Sequence, residues 1–487
     1  MKKIAIAGLS ALMMTQGHAQ SLEERVEALE YQGYENFFKV SGSMEMRFDF
    51  VSRDNKDSYT TFSDPNAYAK ALATAAAVGG GAAGISAFQA AECGETILSG
   101  AVTKEGCSTV GEDQQDNSRF GRLFLNLDVE SNPTNKLSFY GRLSMAKYIT
   151  TLTSQGSDPN SGAFSDLSAG ANASDASLWV ERAFANYKVN DDLTFTFGRL
   201  PTIDGAPMHH HKDQPMAGNY PILAFSGIFD GMALTQNFGK HTARVVYSPL
   251  STVNFSDSIS AQSDAAGDKL SRMEDAYALM YEYSDGDVGF ARKVNVIAMH
   301  NSIGNLPITG TDLKMNLQRT SLYAEALDVA DTGVTLAVHG MTSTTESEGQ
   351  VFSDPALAGV SAALPTLGWL SGEEDDKTTG TAYGILAKYR FSNGFLKGSS
   401  IGGEYFHGSE GAFLYDAGNN DPVSMYTTYG DAYRVFYNKT FEGGLKWNVQ
   451  YMSQQQDYIR PYVGLIGEAA EVDRKTDFVS TSFIVNF

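Results

Sequence analysis

The stretch DFVSTSFIVNF, residues 477–487, decides the fold. Its residues alternate between an apolar and a polar face, with the period of two that an extended strand gives. The apolar face holds Val479, Thr481, Phe483 and Val485, and the polar face holds Ser480, Ser482 and Asn486. An unprotected strand of this kind invites edge-to-edge pairing, and a closed β-barrel removes the edge by pairing the last strand with the first. The stretch therefore predicts a closed barrel.

The same alternation recurs along the chain. In FFKVSGSMEMRFDFV, residues 37–51, Met44 and Phe48 lie on the apolar face while Glu45 and Arg47 lie on the polar face. We count about sixteen such segments: 37–50, 119–130, 136–149, 177–189, 192–200, 229–238, 242–249, 274–284, 289–300, 314–328, 333–343, 380–390, 398–408, 429–441, 444–456 and 476–487. The phase is ambiguous in the fourth, ninth and tenth, where a β-bulge would shift it. A charge on a lipid face costs ~2–4 kcal/mol at mid-bilayer, so we expect polar residues inside and apolar residues outside.

The connections between the segments alternate in length. Short links such as SNPTN, VNDD, NFGK and SDGD are followed at each step by a long one. The long links are 51–118, 150–176, 201–228, 250–273, 301–313, 344–379, 409–428 and 457–475. This asymmetry is typical of outer-membrane barrels, whose turns are short on the periplasmic side and whose loops are long outside.

With its final strand ending on Phe487, the chain resembles the sixteen-stranded outer-membrane porins of Gram-negative bacteria. The resemblance implies an all-β transmembrane antiparallel barrel over residues 37–487, with Phe483, Val485 and Phe487 as the signal for closure and for the barrel-assembly machinery. It also implies contact with the lipid bilayer and lipopolysaccharide, a homotrimer, and small hydrophilic solutes or ions as cargo. We expect no cofactor.

The first residues predict export. Lys2 and Lys3 precede the apolar run 4–14, and small residues at positions 17 and 19 fit cleavage after Ala19. Residues 1–19 are therefore predicted to be a signal peptide, which places the barrel in the outer membrane. Residues 20–36 form a periplasmic leader with heptad spacing, for which a short coiled coil and a frayed amphipathic helix are equally consistent interpretations.

The longest link, residues 51–118, contains both cysteines of the chain. Cys93 and Cys107 are predicted to form a disulfide, because an exported protein meets an oxidising compartment. The alternative, a metal or thiol site, has no further Cys or His nearby. The alanine-rich middle of the link is compatible with a cap on the mouth, a plug, or a contact with a neighbouring subunit.

The net charge of −21 lies mainly in the links. The eight long links carry 32 acidic and 11 basic residues, so the acidity belongs to the outer surface and disfavours nucleic-acid binding. Arginines recur at strand positions whose phase turns them inward: Arg47, Arg122, Arg142, Arg244, Arg390 and Arg434. By the resemblance, they are candidates for a basic wall opposite acids on a constriction loop. The alternative is that they pair with neighbouring carboxylates in a filled lumen.

The link 201–228 takes the place of the porin constriction loop. Its four prolines predict a stiff segment, and Asp204 and Asp213 are its candidate partners for the wall arginines. It also contains His209, His210 and His211. Successive residues do not easily face one ion, so we expect a solvated cluster here, with a weak metal or pH-responsive site as the alternative.

No phosphate loop, nucleophile elbow or zinc-ligand spacing appears in the chain. His300, His339 and His407 lie near strand ends but have no Ser or Asp at an informative spacing, so we expect no enzyme. The sequence therefore predicts a porin for passive diffusion of small hydrophilic solutes or ions. The alternative is a plugged structural barrel that interacts through acidic surface loops.

Overall fold

The computed structural model describes residues 38–57, 59–62, 107–110, 113–150, 177–249, 275–307, 314–348, 366–367, 370–371, 377–416, 420–459 and 470–487. The predicted signal peptide, the leader 20–36, Cys93 and the middle of the link 51–118 lie outside these residues. The signal peptide, the coiled coil and the disulfide therefore remain predictions. Among the described residues, no helix has the length and apolar content needed to cross a membrane.

Sixteen long strands form the fold, and each predicted segment corresponds to one of them. They are β1 Phe38–Asn55, β2 Gln114–Thr134, β3 Leu137–Thr150, β4 Ser177–Lys188, β5 Leu193–Arg199, β6 Asp230–Phe238, β7 His241–Pro249, β8 Asp275–Gly286, β9 Ala291–Pro307, β10 Lys314–Val329, β11 Val334–Glu348, β12 Lys377–Arg390, β13 Ser399–Gly408, β14 Gly430–Thr440, β15 Leu445–Ile459 and β16 Ala470–Asn486.

The strands form one closed antiparallel barrel. Each strand pairs with its neighbours in chain order, and β16 pairs with β1 in continuous register from Ser43 opposite Asn486 to Asn55 opposite Arg474. Phe487 continues the seam, since its backbone N–H donates to the Gly42 carbonyl at 3.0 Å and its carbonyl accepts from the Gly42 N–H at 2.8 Å. The closed barrel predicted from residues 477–487 is confirmed.

Small two-stranded pairs and single turns lie in the links. Tyr59–Phe62 pairs with Cys107–Val110 within the first link, and Thr366–Leu367 pairs with Leu370–Ser371. Within the described residues, a short helix, α1, spans Met208–His211. In the same part of the chain, 3₁₀ turns span Met425–Thr427 and Glu442–Gly444.

Several strands continue beyond the predicted segments at the end of the long links. For example, β9 reaches Pro307 although the predicted segment ends at residue 300. The remaining link, 308–313, has six residues and is still longer than the adjacent turns 287–290 and 330–333, so the alternation of link lengths is kept here but is weaker than predicted. The pairing is irregular here because the register of β9 and β10 shifts between Ile303 and Leu306. A bulge in an extended hairpin hides the period-two pattern from the sequence.

The outward faces carry the apolar belt that a transmembrane barrel requires. Large apolar side chains lie exposed on strands all around the wall, among them Leu279 on β8, Leu322 on β10, Ile385 on β12 and Val435 on β14. On β16, Val479 and Phe483 are exposed outward while Ser480 and Ser482 are buried inside. Exposed apolar side chains on this scale are stable only against lipid, so the barrel spans a membrane with these faces outward.

The inward faces are less uniformly polar than the sequence predicts. Leu317, Met341, Phe406, Met452 and Phe478 point inward and are buried. They belong to a hydrophobic cluster that also includes residues of the links 201–228 and 409–428. Apolar residues at inward positions are stable because these links cover them. In an open, water-filled lumen the same side chains would be exposed to water.

Candidate functional site: a loop folded into the barrel

The link 201–228, called the inner loop below, lies inside the barrel. Its base is closed by the Leu200 N–H, which donates to the Phe229 carbonyl at 2.9 Å. From there the loop runs across the lumen, because His210 meets Glu325 on β10 and the His211 carbonyl accepts from Asn448 on β15 at 2.8 Å. The inner loop therefore fills part of the lumen rather than lying on the outer surface.

The inner loop has two legs, which contain residues 204–206 and residues 218–222, and these legs pack tightly against each other. The Gly218 N–H donates to the Asp204 carbonyl at 3.2 Å, and the Ile222 N–H donates to the Ala206 carbonyl at 2.9 Å. A Cβ at Gly205 would lie 1.6 Å from the Tyr220 carbonyl oxygen, so only glycine permits this approach. The hydrogen bonds and the close contact make the loop one compact unit.

The inner loop packs against one side of the barrel. A second hydrophobic cluster joins its residues Ala206, Tyr220 and Ala224 to inward residues of the wall from β6 to β14, including Met299 and Phe436. Arg319 of β10 adds hydrogen bonds to the loop carbonyls of Leu223 and Ala224 at 3.3 and 3.2 Å. The side of the lumen along β1 to β4 is left open as a result.

His211 is buried in a hydrogen-bonded network around Glu404 of β13. The two Glu404 carboxylate oxygens contact the Nε2 atoms of His211 and of His339, the latter at 2.9 Å, and the Tyr426 hydroxyl donates to the carboxylate at 2.9 Å. On its other side, His211 Nδ1 lies 2.9 Å from Arg434 Nη1. Burial and the neighbouring Arg434 lower the pKa of His211, although Glu404 acts in the opposite direction.

His209 and His210 point to a different carboxylate. Their Nε2 atoms lie 3.3 and 2.8 Å from the same Oε2 of Glu325 on β10. The three histidines are therefore not the solvated cluster that the sequence suggests, because helix α1 lies within the lumen and His210 and His211 are buried. Two of the three adjacent rings also share one acceptor, contrary to the expectation for successive residues.

Asp213 connects the inner loop to the wall at the end of the barrel where the short turns lie. Its Oδ1 lies 3.0 Å from Lys388 Nζ and 2.6 Å from Arg390 Nη2, both on β12, and its carbonyl accepts from Lys446 Nζ at 2.9 Å. Burial alone would raise the pKa of Asp213, but the two cations outweigh it and lower this pKa. Among the predicted arginines, Arg390 is the one that meets an acid of the inner loop.

Arg47 and Arg434 pair with an acid from another link. Asp421, in the link 409–428, lies 2.7 Å from Arg47 Nη1 and 3.0 Å from Arg434 Nη2, and all three side chains are buried. Arg47 Nε also lies 2.6 Å from Asp49, which meets Arg122 Nη2 at 2.7 Å. These arginines hold wall and link acids rather than Asp204 or Asp213.

Arg142 and Arg244 likewise pair with carboxylates of the wall. Arg142 Nε lies 2.6 Å from Asp128, and Arg244 Nη1 lies 3.1 Å from Glu282. Arg244 also approaches the Tyr220 ring of the inner loop, with 5.8 Å from the guanidinium carbon to the ring centroid. All six predicted arginines are therefore paired, as in the alternative of mutual compensation.

Asp204 differs from the other acids near the loop, since it makes no ion pair within the described part of the chain. Burial raises its pKa to about 6, and the neighbouring Glu181 adds to the rise. Arg142, Arg182 and Lys212 are close enough to act against this shift but not to reverse it. Asp204 lines the open side of the lumen.

A cavity of about 480 Å³ lies between the inner loop and the wall formed by β1 to β4. The salt bridge from Lys212 Nζ to Glu45 Oε2, 2.7 Å long, joins the loop to β1 at this cavity. The polar lining includes Ser41, Ser43, Asn126, Asp128, Asn420 and Gln450. Polar and charged groups on facing sides make this space suitable for water, ions and hydrophilic solutes.

The sequence did not predict that the described parts of the link 409–428, residues 409–416 and 420–428, fold inward. Its Ser424 caps the 3₁₀ turn that buries Tyr426, and its Asp416 accepts a hydrogen bond from Ser226 of the inner loop. The run of aromatic and acidic residues in this link was the available signal. The β-bulge considered for the fourth segment is present in β4, but its residues were not predicted: it leaves Glu181 without a register partner and turns both Glu181 and Arg182 inward.

The three histidines near strand ends, His300, His339 and His407, contact different partners. His300 faces outward and is exposed, with Nδ1 2.9 Å from Thr320 Oγ1. His407 Nδ1 lies 2.9 Å from Asp431 Oδ1, and His339 belongs to the network around Glu404 inside the barrel. Their contacts do not bring a nucleophile, a base and an orienting acid together.

Comparisons with known proteins give one partial family match and several similar structures. A family model described as a protein of unknown function (DUF3373) matches residues 114–247, which run from β2 to β7. None of the curated proteins matches the chain. Similar solved structures include Salmonella typhi OmpF in complex with daunomycin, 12% identical, covering 91% of this chain and 97% of that one, with a TM-score of 0.41.

Two further structures have comparable values. An anion-selective porin from Comamonas acidovorans is 10% identical, covering 92% of this chain and 99% of that one, with a TM-score of 0.43. OmpT of Vibrio cholerae, in a trimer form, is 11% identical with the same coverage and a TM-score of 0.40. The assignment of a sixteen-stranded transmembrane barrel rests on the strand order and register of the chain itself.

Proposed function

We propose that this chain is an outer-membrane porin that passes small hydrophilic solutes or ions by passive diffusion. The observation that carries the proposal is the polar cavity along β1 to β4, which the inner loop narrows without filling. Within this proposal, the protein contacts the bilayer and lipopolysaccharide, is inserted by the barrel-assembly machinery, and forms a homotrimer.

In the same proposal, the inner loop is the constriction. Asp213 and Lys212 fix it to the wall through β12 and β1, so its position does not depend on apolar packing alone. Paired charges such as Arg142 with Asp128 present both signs to the passage. A narrow, wet passage lined by both signs favours polar solutes and rejects large or apolar ones.

The direct test is single-channel conductance of the refolded full-length protein in a planar bilayer. We expect a steady conductance, with steps in groups of three if the protein is a homotrimer. A barrel that is folded by heat-modifiable gel mobility yet carries no current would contradict the porin proposal.

A matched pair of substitutions tests where the passage runs. Ser43 lines the cavity, whereas its neighbour Met44 is exposed on the outer face. We expect Ser43→Trp to reduce the conductance by roughly a half or more, because a bulky ring narrows the passage, and Met44→Trp to leave it unchanged. Equal effects of the two substitutions would mean that current does not pass along β1.

The alternative is a plugged barrel whose acidic outer loops form the working surface. The observation in its favour is the pair of hydrophobic clusters that pack the links against the lumen wall, one from β6 to β14 and the other from β10 round to β1. Under this alternative, Ser43→Trp and the wild type both carry no current. The conductance of the wild type therefore separates the two functions.

A further inference from the structure

Two imidazoles and one carboxylate meet where the inner loop faces β10. The donor atoms of His209, His210 and Glu325 all lie within 4.8 Å of one another. Adjacent residues converge here because their rings lie against each other at helix α1, with centroids 3.9 Å apart. The rings and the carboxylate thus come from two separate parts of the chain and form one compact group.

Neighbouring side chains hold this group in place. Asn295 of β9 donates a hydrogen bond to Oε1 of Glu325, and the Tyr323 hydroxyl donates to Oε2 at 2.8 Å. Such partners orient a metal-binding carboxylate in known sites. His210 and Glu325 are buried, whereas His209 retains some exposure and lines the cavity, which supplies a route for a small ion.

The spacing of the donor atoms fits a transition-metal ion. Bonds of about 2.0–2.1 Å in a tetrahedral arrangement place two donor atoms about 3.3 Å apart. The His209 and Glu325 atoms have this separation, 3.3 Å, and the His210 and Glu325 atoms, at 2.8 Å, need to separate by about half an ångström.

We propose that His209, His210 and Glu325 bind a divalent transition-metal ion of the Zn²⁺ class. Two imidazole nitrogens and one carboxylate oxygen are ligands that Zn²⁺ takes, with the fourth position open to water from the cavity. The ion links helix α1 to β10 and so fastens the inner loop to the wall. The site does not require that the barrel conducts, so it stands apart from the proposed function.

The test is Zn²⁺ titration of the full-length, tag-free protein, refolded in detergent and stripped with a chelator. We expect one Zn²⁺ per chain by calorimetry, and a visible absorption band typical of four-coordinate Co²⁺ when Co²⁺ replaces Zn²⁺. His209→Gln should weaken binding at least tenfold, since it removes one of three protein ligands. This substitution disturbs the loop least, because His209 is the most exposed of the three groups.

His300→Gln serves as the matched control, since it removes an exposed outward histidine with no link to the site. It should leave Zn²⁺ affinity unchanged. Should the His209 variant fail to fold, the stoichiometry and the Co²⁺ spectrum of the wild type still decide. Less than one Zn²⁺ per chain, the absence of the Co²⁺ band, or equal affinity in wild type and His209→Gln would overturn the proposal.

Discussion

Asp204 is a charged residue of the cavity whose protonation changes within an accessible pH range. Its pKa is raised to about 6 because burial disfavours the carboxylate. The neighbouring Lys212, Arg142 and Arg182 each pair with an acid, so ionised Asp204 adds negative charge to the lining. Ionised Asp204 therefore favours cations above pH 6, and the preference weakens below it.

We predict that the cation-to-anion permeability ratio falls when the pH is lowered from about 7.5 to about 5, across the raised pKa. In Asp204→Asn, the ratio should be lower at the higher pH and nearly independent of pH. The measurement is the reversal potential in a salt gradient. Asp192→Asn, in the turn 189–192 at the barrel end, is the control and should behave as wild type. A pH dependence retained in Asp204→Asn would refute this role of Asp204.

The raised pKa of Asp204 also makes the free energy of unfolding depend on pH. The folded pKa lies above the ordinary value of 3.8, so the folded chain binds this proton more tightly than the unfolded chain does. The contribution of Asp204 to the free energy of unfolding therefore increases as the pH falls from about 6 toward 3.8. Asp204→Asn removes this dependence, because the amide does not titrate.

At the scale of residues, the period-two pattern predicted whether a side chain points inward, but it did not predict which groups that side chain contacts. Arg47 and Arg434 were expected to face inward, and both do. Their shared partner Asp421 lies in a link whose path the pattern does not describe. The partners of the histidines, Glu325 and Glu404, sit at inward strand positions, but pairing across the lumen depends on the fold of the inner loop. Local alternation contains no information on that path.

At the scale of elements, the inner loop depends on the close approach of its two legs. We predict that Gly205→Ala separates the legs, because the new Cβ would lie 1.6 Å from the Tyr220 carbonyl oxygen. The channel should then show a larger and noisier conductance in single-channel recordings, since the loop no longer holds one position.

Gly286→Ala is the matched control for this glycine. The new Cβ at Gly286 would meet its nearest atom, the Arg292 carbonyl oxygen, at 3.9 Å, an ordinary contact. We expect its conductance to equal that of wild type. If Gly205→Ala also conducts as wild type does, the packed legs do not set the width of the passage.

The elements themselves were largely predictable, and the exceptions have physical causes. Each strand places one face against lipid, so its alternation is strong and its position is clear from the sequence. Irregular register in β4 and β9 weakened the pattern, as expected for bulges. The inward path of the links 201–228 and 409–428 depends on contacts with distant strands. A stiff, proline-rich composition suggested the path of the first link, whereas the aromatic and acidic residues of the second do not by themselves determine its path.

At the scale of the whole molecule, the outward apolar belt sets the stability in lipid. Leu279 lies near the middle of β8 and is 59% exposed toward the outside. We predict that Leu279→Arg lowers the free energy of unfolding by ~2–4 kcal/mol, the cost of an arginine at the bilayer midplane. The measurement is guanidinium unfolding of the protein in phospholipid vesicles.

Phe395→Arg provides the comparison for this substitution. Phe395 is 97% exposed, but it lies in the turn 391–398 at the end of the barrel, where the cost should fall to about 0–1 kcal/mol. Equal destabilisation by the two arginines would mean that the apolar belt does not face a hydrocarbon core.

The buried pairing of Asp421 has a consequence for the order of assembly. Asp421 joins Arg47 of β1 to Arg434 of β14, across the intervening strands β15 and β16. Asp421 contacts both arginines only after β1 and β16 have paired in the correct register. A buried charge without its partner is costly. A barrel that closes one register out of step separates Arg47 from Asp421, while Arg47 keeps Asp49 and Asp421 keeps Arg434. The buried pair of Arg47 and Asp421 thus favours the barrel closed in the correct register over barrels closed in a neighbouring register.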